Sequence, residues 1–313
     1  MTQQLESRKY RGRFAPTPSG LMHFGSLVAA VGSYLDARSY QGEWLVRIED
    51  VDQPRVKTGI SEKLLSTLEF MGMYWDGPVI YQSQRYSRYQ EALHFLKTLD
   101  LVYPCSCSRK EIADSAITGL DGIVYPGNCR NGFPPEHDQR FKALRLKTNS
   151  DRIEFQDRLR GKIHQSIEKE IGDFVLRRSD GIYTYQLAVV IDDAWQGITD
   201  IVRGADLLNS TPRQIFLQRL FGYPEPSYLH LPVVTNLQGE KLSKQTLAQP
   251  INTDNPLSQL IAAIDFLGQL PPRELIEGNL TSFWTWAIEN WSVPKIPRIT
   301  HSPYINFLER FSE

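Results

Sequence analysis

A histidine suited to binding an anion, His23, and a glycine, Gly25, come shortly after the proline-rich turn PTPSG (residues 16–20). Apolar residues then recur at helical spacing as far as Leu35, which predicts a helix that starts at this turn. The first N–H groups of a helix lack internal partners, and the helix dipole favours an anion there. Glycine is costly inside a helix, so Gly25 indicates that a flat group approaches the backbone. We therefore predict a phosphate site; the alternative is that His23 only caps the helix or packs.

A second phosphate-binding candidate is the loop KLSKQ (residues 241–245), which follows a predicted strand. Lys241 and Lys244 stand three residues apart beside Ser243, and lysines hold polyphosphates as mobile point charges. A lysine-containing surface loop is also common in proteins without a nucleotide site. The loop therefore indicates phosphate binding only in combination with the helix start.

Three cysteines, Cys105, Cys107 and Cys129, lie within one 25-residue window. An odd, clustered set argues against a disulfide framework and is typical of a metal site. Thiolates suit zinc, and His137 is a generic fourth ligand because imidazole is the commonest neutral one. A closed ligand set leaves no open position, so the predicted zinc ion is a single structural one. The alternative is three free thiols.

The composition is that of a globular protein, with 41% apolar and 23% charged residues in a chain of 313. No apolar run approaches the roughly 20 residues of a membrane span, and the polar N-terminus lacks a signal-peptide core. We therefore expect a cytoplasmic protein. Lys and Arg total 35 against 36 Asp and Glu, which excludes a broadly basic nucleic-acid surface. Any contact with nucleic acid must be local.

The elements that must position these residues follow the order strand, turn, helix, strand. Residues 11–15 form the first predicted strand, and WLVRIED (residues 44–50) forms a buried second strand that ends in carboxylates. This order predicts an α/β fold with a parallel sheet. Further helices are predicted over residues 61–71 and 86–99. Residues 101–147 hold the cysteines and little periodicity, which suits an inserted module.

Sheet-like signals return in YQLAVVIDD (residues 185–193), ITDIVRGAD (residues 198–206) and YLHLPVVTN (residues 228–236). Apolar residues at helical spacing predict additional helices in the C-terminal half. These helices cover residues 211–222, 256–267 and 280–289.

Together, the two phosphate motifs resemble the signature pair of the class I aminoacyl-tRNA synthetases. His23-Phe24-Gly25-Ser26 stands for the family's His-Ile-Gly-His type, and residues 241–245 for its Lys-Met-Ser-Lys-Ser type, with Ser26 and Gln245 departing from the pattern. The resemblance implies a Rossmann-like sheet, ATP with Mg²⁺, and His23 and Lys244 as the catalytic residues. The implied ATP-binding residues are Pro16, Ser19, Gly20, His23, Gly25, Ser26, Lys241, Leu242, Ser243 and Lys244.

FAPTPSGLMHFG (residues 14–25) and VRIEDVDQPR (residues 46–55) resemble the glutamyl subgroup of that class. Glutamate needs an anion for its ammonium, here Glu49, and a cation for its side chain, here Arg13, which can fork onto a carboxylate. Both lie at carboxyl ends of parallel strands, where such sheets bind ligands. The alternatives are an ordinary strand-end carboxylate and a surface ion pair. The implied glutamate-binding residues are Arg13, Phe14, Ala15, Pro16, Thr17, Glu49, Tyr185 and Arg203.

Asp192 and Asp193 form an adjacent carboxylate pair that could suggest acid–base chemistry. The activation reaction implied by the resemblance needs no protein base. We therefore expect structural or ribose-facing roles for both.

The stretch VYPGNCR (residues 124–130) is similar to a pattern in the glutamyl-queuosine tRNA(Asp) synthetases, truncated paralogues of glutamyl-tRNA synthetase. A tyrosine is the fourth zinc ligand in that family. The resemblance implies Tyr125 as the fourth ligand here, with His137 as the second choice. Only about 70 residues follow Gln245, too few for a helical anticodon-binding domain, so we expect none.

The expected organisation is therefore two halves of one catalytic domain around an insertion. The predicted segments are 1–100 for the first half, 101–180 for the inserted zinc-binding module, 181–250 for the second half with the lysine loop, and 251–313 for a short helical C-terminal segment.

The resemblance implies two reactions: ATP-dependent activation of L-glutamate to glutamyl-adenylate without tRNA, then transfer of glutamate to the cyclopentenediol of queuosine in the anticodon of tRNA(Asp). We expect a monomer whose partners are ATP, glutamate and queuosine-containing tRNA(Asp). The alternatives are glutamylation of a tRNA 3′ end by the same site, and a non-catalytic tRNA-binding paralogue. Nucleotidyl transfer to a small coenzyme is a third, although such enzymes lack the glutamate set and the cysteines.

Overall fold

The computed structural model describes residues 9–115, 117–119, 122–132, 142–236, 238–242, 249–252 and 254–303. Its strands are β1 (Arg11–Phe14), β2 (Glu43–Ile48), β3 (Ile80–Tyr81), β4 (Val102–Cys105), β5 (Ile117–Gly119), β6 (Gly122–Val124), β7 (Ala143–Leu146), β8 (Arg152–Asp157), β9 (Gly161–Ser166), β10 (Val175–Arg177), β11 (Asp200–Gly204), β12 (Ser227–Leu231), β13 (Val233–Thr235) and β14 (His301–Pro303). Its helices are α1 (Phe24–Ser39), α2 (Ile60–Phe70), α3 (Tyr86–Thr98), α4 (Arg109–Ser115), α5 (Tyr185–Gln196), α6 (Thr211–Phe221), α7 (Pro256–Phe266) and α8 (Leu280–Asn290).

Parallel strands form the centre of the fold. β1 pairs with β2, β2 with β3, and β11 with β12, all in parallel register. The residue before β11, Thr199, donates its N–H to the Arg11 carbonyl at 2.9 Å, which brings β11 beside β1. The prediction of an α/β fold with a parallel sheet is confirmed.

Helices cover both faces of these strands. Ile201 packs in an apolar cluster with α3, α5 and α6, whereas the next residue, Val202, packs in a second cluster with α1, α7 and α8. Successive strand residues point to opposite faces, so one strand serves two cores. In the second cluster, Trp44 is fully buried and donates its indole N–H to Ser33 Oγ at 3.0 Å. Each buried leucine of α1, such as Leu27, contributes about 2 kcal/mol.

The sheet-like prediction for residues 185–193 is wrong, because this stretch forms most of helix α5. Every residue from Leu187 to Asp193 is buried, so no polar stripe marks a helical period, and a short apolar run of this kind also fits a buried strand. The helix ends at Gly197, which has the left-handed backbone typical of a helix C-terminus (φ 66°). The other helices and strands predicted above are confirmed within a few residues.

The segment 101–180 contains mainly short antiparallel strands. β7 lies between β4 and β10, β5 pairs with β6, and β8 forms a hairpin with β9. β8 also pairs in parallel with β12 through Asp157 and Tyr228, which ties this segment to the central strands. The predicted segment limits themselves stay predictions.

Membrane insertion through a helix finds no support among the described residues. None of the described helices is long and apolar enough to span a bilayer.

Candidate active site

A cleft of about 690 Å³ opens at the carboxyl ends of β1, β2 and β11 and at the start of α1. Both phosphate motifs and the amino-acid set contribute to its walls. The predicted residues that line it are Arg13, Phe14, Ala15, Pro16, Thr17, Ser19, His23, Gly25, Ser26, Glu49, Tyr185, Arg203, Lys241 and Leu242. Gly20 lies in the turn but not in the lining, while Ser243, Lys244 and Gln245 fall outside the described residues.

The start of α1 shows the capping contact that the sequence left open. His23 is the N-cap residue, and its Nδ1 accepts the Ser26 N–H at 3.2 Å. Its Nε2 lies 3.1 Å from Ser26 Oγ. A Cβ at Gly25 would lie 3.3 Å from the His23 ring and 3.6 Å from the Leu242 carbonyl oxygen. The lysine loop therefore begins directly over the helix start, and a side chain at position 25 would be tight against the His23 ring rather than against the loop.

The lysine loop is joined to the cleft by an ion pair. Lys241 Nζ lies 2.5 Å from Asp206 Oδ2, with both side chains partly exposed. Asp206 lines the cleft and was not predicted from sequence. Its position two residues after β11 was the available signal, because parallel strands direct such residues to the ligand edge.

Arg13 is buried against Asp193. Its Nε and Nη2 lie 3.1 and 3.3 Å from the two Asp193 oxygens, and only 3% of its surface is exposed. Arg47 shares the same carboxylate at 2.8 Å and lies 3.4 Å from Glu49. Burial alone would raise the pKa of the Asp193 carboxyl, but the charges of Arg13 and Arg47 hold that pKa below its ordinary value. One edge of the Arg13 fork is therefore already occupied.

Glu49 directly follows β2, and its N–H donates to the Pro16 carbonyl at 3.0 Å, which fixes it against the turn. The residue is 8% exposed and lines the cleft. Burial raises the pKa of its carboxyl to about 7, despite the opposing charges of Arg47 and Arg13. Glu49 is thus a carboxyl group whose charged form the surrounding protein stabilises only weakly.

Arg203 reaches the cleft from β11 and is 5% exposed. Its Nη1 donates to the Tyr185 hydroxyl at 3.2 Å, and its Nη2 donates to Thr211 Oγ1 at 2.8 Å. Burial raises the pKa of the Tyr185 phenol, so this hydroxyl stays protonated and can donate onward. The Nε of Arg203 lies 3.1 Å from Nε2 of His230, a residue that the sequence did not single out.

Asp192 and Asp193 have structural partners, as expected, and neither lines the cleft. Asp192 is fully buried and accepts from Gln82, Arg85 and Tyr89 at 2.9, 2.5 and 2.7 Å. The ribose-facing alternative has no support from these contacts.

The three cysteines converge as predicted. The Sγ atoms of Cys105, Cys107 and Cys129 lie within 4.8 Å of one another. The Tyr125 hydroxyl is 3.3 and 3.5 Å from the first two, and the Cys129 N–H donates to it at 2.9 Å. Sulfur ligands 2.3 Å from a tetrahedral zinc ion stand about 3.8 Å apart, so this cluster needs little rearrangement to hold one. His137 lies outside the described residues.

Residues 9–265 match the family model described as tRNA synthetases class I (E and Q), catalytic domain. The "Glutamyl-Q tRNA(Asp) synthetase" of Dechloromonas aromatica is 56% identical over 291 residues, which cover 92% of this chain and 96% of that relative. Proteins of the same name from Aromatoleum aromaticum and Chromobacterium violaceum are each 53% identical, over 92% and 94% of this chain and 91% and 97% of the relatives.

Solved structures resemble this chain in fold. A glutamate tRNA ligase from Elizabethkingia meningosepticum, crystallised in complex with its amino acid, superposes with a TM-score of 0.76 at 24% identity. The match covers 95% of this chain and 67% of that one.

Proposed function

The chain belongs to the class I tRNA synthetases of the glutamate and glutamine type, and we propose that it glutamylates queuosine in tRNA(Asp). It is a ligase whose partners are glutamate, ATP and tRNA(Asp). The observation that carries this assignment is identity of 53–56% along nearly the full length of relatives that bear that name. The cleft described above supports it with the groups that such a reaction requires.

In the first step, the α-carboxylate of glutamate attacks the α-phosphorus of ATP, and pyrophosphate leaves. Arg203 and Tyr185 bind the side-chain carboxylate, because they form a guanidinium–hydroxyl pair on the cleft wall. Glu49 receives the ammonium. Arg13 adds a donor through Nη1, the one guanidinium nitrogen that makes no hydrogen bond within the described residues. This step runs without tRNA.

The triphosphate lies between the start of α1 and the lysine loop. The N–H groups of the first helical turn, His23 and Lys241 supply positive potential there. To reach a phosphate oxygen, the His23 ring turns away from Ser26. Lys244, outside the described residues, completes the set. Catalysis rests on positioning and charge stabilisation rather than on a covalent enzyme intermediate.

Class I synthetases use ATP with Mg²⁺. Among the described residues, the carboxylates that line the cleft are Glu49 and Asp206, and each is paired with a cation. Neither forms a dedicated set of oxygen ligands, so the ion would bind mainly through the ATP phosphates, as Mg²⁺ commonly does.

In the second step, a hydroxyl of the queuosine cyclopentenediol attacks the adenylate carbonyl carbon, and AMP leaves. The acceptor is thus a modified base in the anticodon of tRNA(Asp) rather than a 3′ ribose. We place the reaction in the cytoplasm, with the tRNA pool, and assign it to a monomer. Sedimentation of the purified protein measures that oligomeric state.

Cys105, Cys107, Cys129 and Tyr125 would hold one structural zinc ion. Bound there, the ion would cross-link β4 to the chain around Cys129. Elemental analysis should give one zinc per chain, and Tyr125→Phe should lower zinc retention against a chelator. Equal retention in the variant would remove Tyr125 from the ligand set.

Glutamate-dependent ATP–pyrophosphate exchange without tRNA tests the first step, and glutamate transfer to tRNA(Asp) with and without queuosine tests the second. Exchange with transfer only to the queuosine-bearing tRNA is the expected result. Periodate-sensitive charging of a tRNA 3′ end would instead indicate an ordinary glutamyl-tRNA synthetase. No exchange with any amino acid would leave a non-catalytic tRNA-binding protein.

A further inference from the structure

The guanidinium of Arg203 contacts the His230 ring, and the geometry of this contact defines the protonation state and tautomer of the histidine. Nε of Arg203 and Nε2 of His230 are 3.1 Å apart. Arginine nitrogens only donate, so Nε2 must accept through a lone pair and the imidazole carries its proton on Nδ1. The His230 side chain is fully buried, and burial lowers its pKa to about 4. The ring is therefore neutral, with a defined tautomer.

Asp157 fixes that tautomer. Its Oδ2 lies 2.7 Å from Nδ1 of His230 and accepts the His230 backbone N–H at 3.1 Å. Its Oδ1 accepts the N–H groups of Leu159 and Arg160 at 3.0 and 2.8 Å. Because backbone donors hold both oxygens, the carboxylate is rigid and the imidazole above it is rigid in turn.

The neutral His230 ring lies between the positive charge of Arg203 and the negative charge of Asp157. Asp157 does not contact the Arg203 guanidinium, whose Nη2 is held instead by the uncharged Thr211 hydroxyl. The three nitrogens of Arg203 thus have neutral partners, namely His230, Tyr185 and Thr211. The orientation of the cation is set without neutralising its charge.

We propose that His230, oriented by Asp157, is a positioning residue that makes Arg203 a preformed receptor for the side-chain carboxylate of glutamate and thereby favours glutamate over glutamine. This inference rests on the proposed function. A carboxylate presents acceptors to every guanidinium N–H it meets, whereas the glutamine amide turns an NH₂ group toward donors. A guanidinium fixed in one orientation cannot rotate to avoid this donor–donor contact, so glutamine binds less tightly than glutamate.

The test compares His230→Phe with His230→Gln in pyrophosphate exchange. Phenylalanine keeps the ring volume and removes the acceptor, and Asp157 keeps its three backbone donors. We expect the KM for glutamate to rise about tenfold or more, because a buried donor of Arg203 is left unsatisfied. The KM for ATP and the kcat at saturating glutamate should not change. In His230→Gln, the amide oxygen can accept from Nε and should restore most of the lost affinity.

The ratio of kcat/KM for glutamate over glutamine should fall in His230→Phe and recover in His230→Gln. An unchanged KM for glutamate, or equal rises for glutamate and ATP, would overturn the positioning role while leaving the proposed function intact. A wild-type protein that lacks exchange would instead overturn the proposed function itself. If His230→Phe does not fold, Thr211→Val removes the closer acceptor of Nη2, leaves it only the Leu207 carbonyl at 3.4 Å, and should show the same glutamate-only rise. Unchanged glutamate affinity in that variant would also refute the inference.

Discussion

Arg13 and Arg203 reach the same cleft from neighbouring strands and are buried to a similar degree, at 3% and 5% exposed. Arg13 contacts its carboxylate, Asp193, directly. Arg203 reaches Asp157 only through the neutral ring of His230. Two unit charges in contact near a protein surface attract by about 4 kcal/mol. The charge of Arg13 on one side of the cleft is therefore largely neutralised by its direct partner, whereas the charge of Arg203 on the other side is not.

The two sides also differ in the charged groups that surround each arginine. The Arg13 side holds two arginines and two carboxylates, since Arg47 and Glu49 join Asp193. On the Arg203 side, the carboxylate of Asp157 also faces a second arginine, Arg160, whose Nε donates to the His230 carbonyl at 3.2 Å. Opposite charges are in contact on the Arg13 side and separated by a neutral ring on the Arg203 side, and both differences favour Arg203 as the arginine that attracts a substrate carboxylate.

The largest effect should come from removing the direct partner of Arg13. Asp193→Asn leaves two buried arginines with Glu49 as the carboxylate that still lies at ion-pair distance among the described residues, and we expect a loss of about 3–5 kcal/mol in the free energy of unfolding. Urea denaturation measures it. Asp180→Asn, which removes an exposed partner of Arg178, is the matched control and should cost less than about 1 kcal/mol. Equal stability of the two variants would mean that Asp193 does not offset the charges of the buried arginines Arg13 and Arg47.

Replacing each arginine by lysine tests which one recognises the substrate. Arg203→Lys keeps the charge but loses the fork held by Tyr185 and Thr211, so we expect the KM for glutamate to rise about 100-fold. Arg13→Lys keeps an ion pair with Asp193 and should raise the KM for glutamate far less. Pyrophosphate exchange at varied glutamate measures both. A larger effect at Arg13 would reverse the comparison.

The two sides should also differ in their response to pH. The pKa of Glu49 is raised to about 7, so its anionic form, the proposed receptor of the ammonium, is lost as the pH falls through 7. We expect the KM for glutamate to be about tenfold higher at pH 6 than at pH 8. The pKa of His230, lowered to about 4, keeps the Arg203 side unchanged over that range.

Glu49→Gln is the control for this pH dependence. It should raise the KM and abolish its dependence on pH between 6 and 8. A dependence that survives in the variant would assign the titration to another group.

The smallest effect on substrate binding is expected from the partly exposed ion pair of the cleft, Lys241 with Asp206. Lys241 and Asp206 form a direct pair like that of Arg13, but water screens it. We expect Lys241→Ala to raise the KM for ATP by no more than about threefold, with the KM for glutamate unchanged. A glutamate effect would show that this pair supports the amino-acid end of the cleft as well.

The sequence predicted the site better than some of the elements that carry it. His23, Glu49 and Arg203 were found because a turn, a strand end and a resemblance each mark them locally, and all three line the cleft. Helix α5 was predicted as a strand, since uniform burial removes the polar stripe that reveals a helix. Arg47 and His230 were missed because both lie inside apolar strands, where a polar residue carries no local sign of its partner.

The sequence by itself determined the order strand, turn, helix, strand and the chemical groups placed at its ends, because helical and strand periods are local properties of the chain. Only the tertiary structure decided which groups are paired. Arg13 meets Asp193 across 180 residues, and His230 meets Asp157 across 73 and Arg203 across 27. Such contacts depend on which strands become neighbours, and this is settled by the packing of the whole chain. The same arginine side chain is therefore paired directly with a carboxylate at position 13 and linked to one only through a neutral ring at position 203.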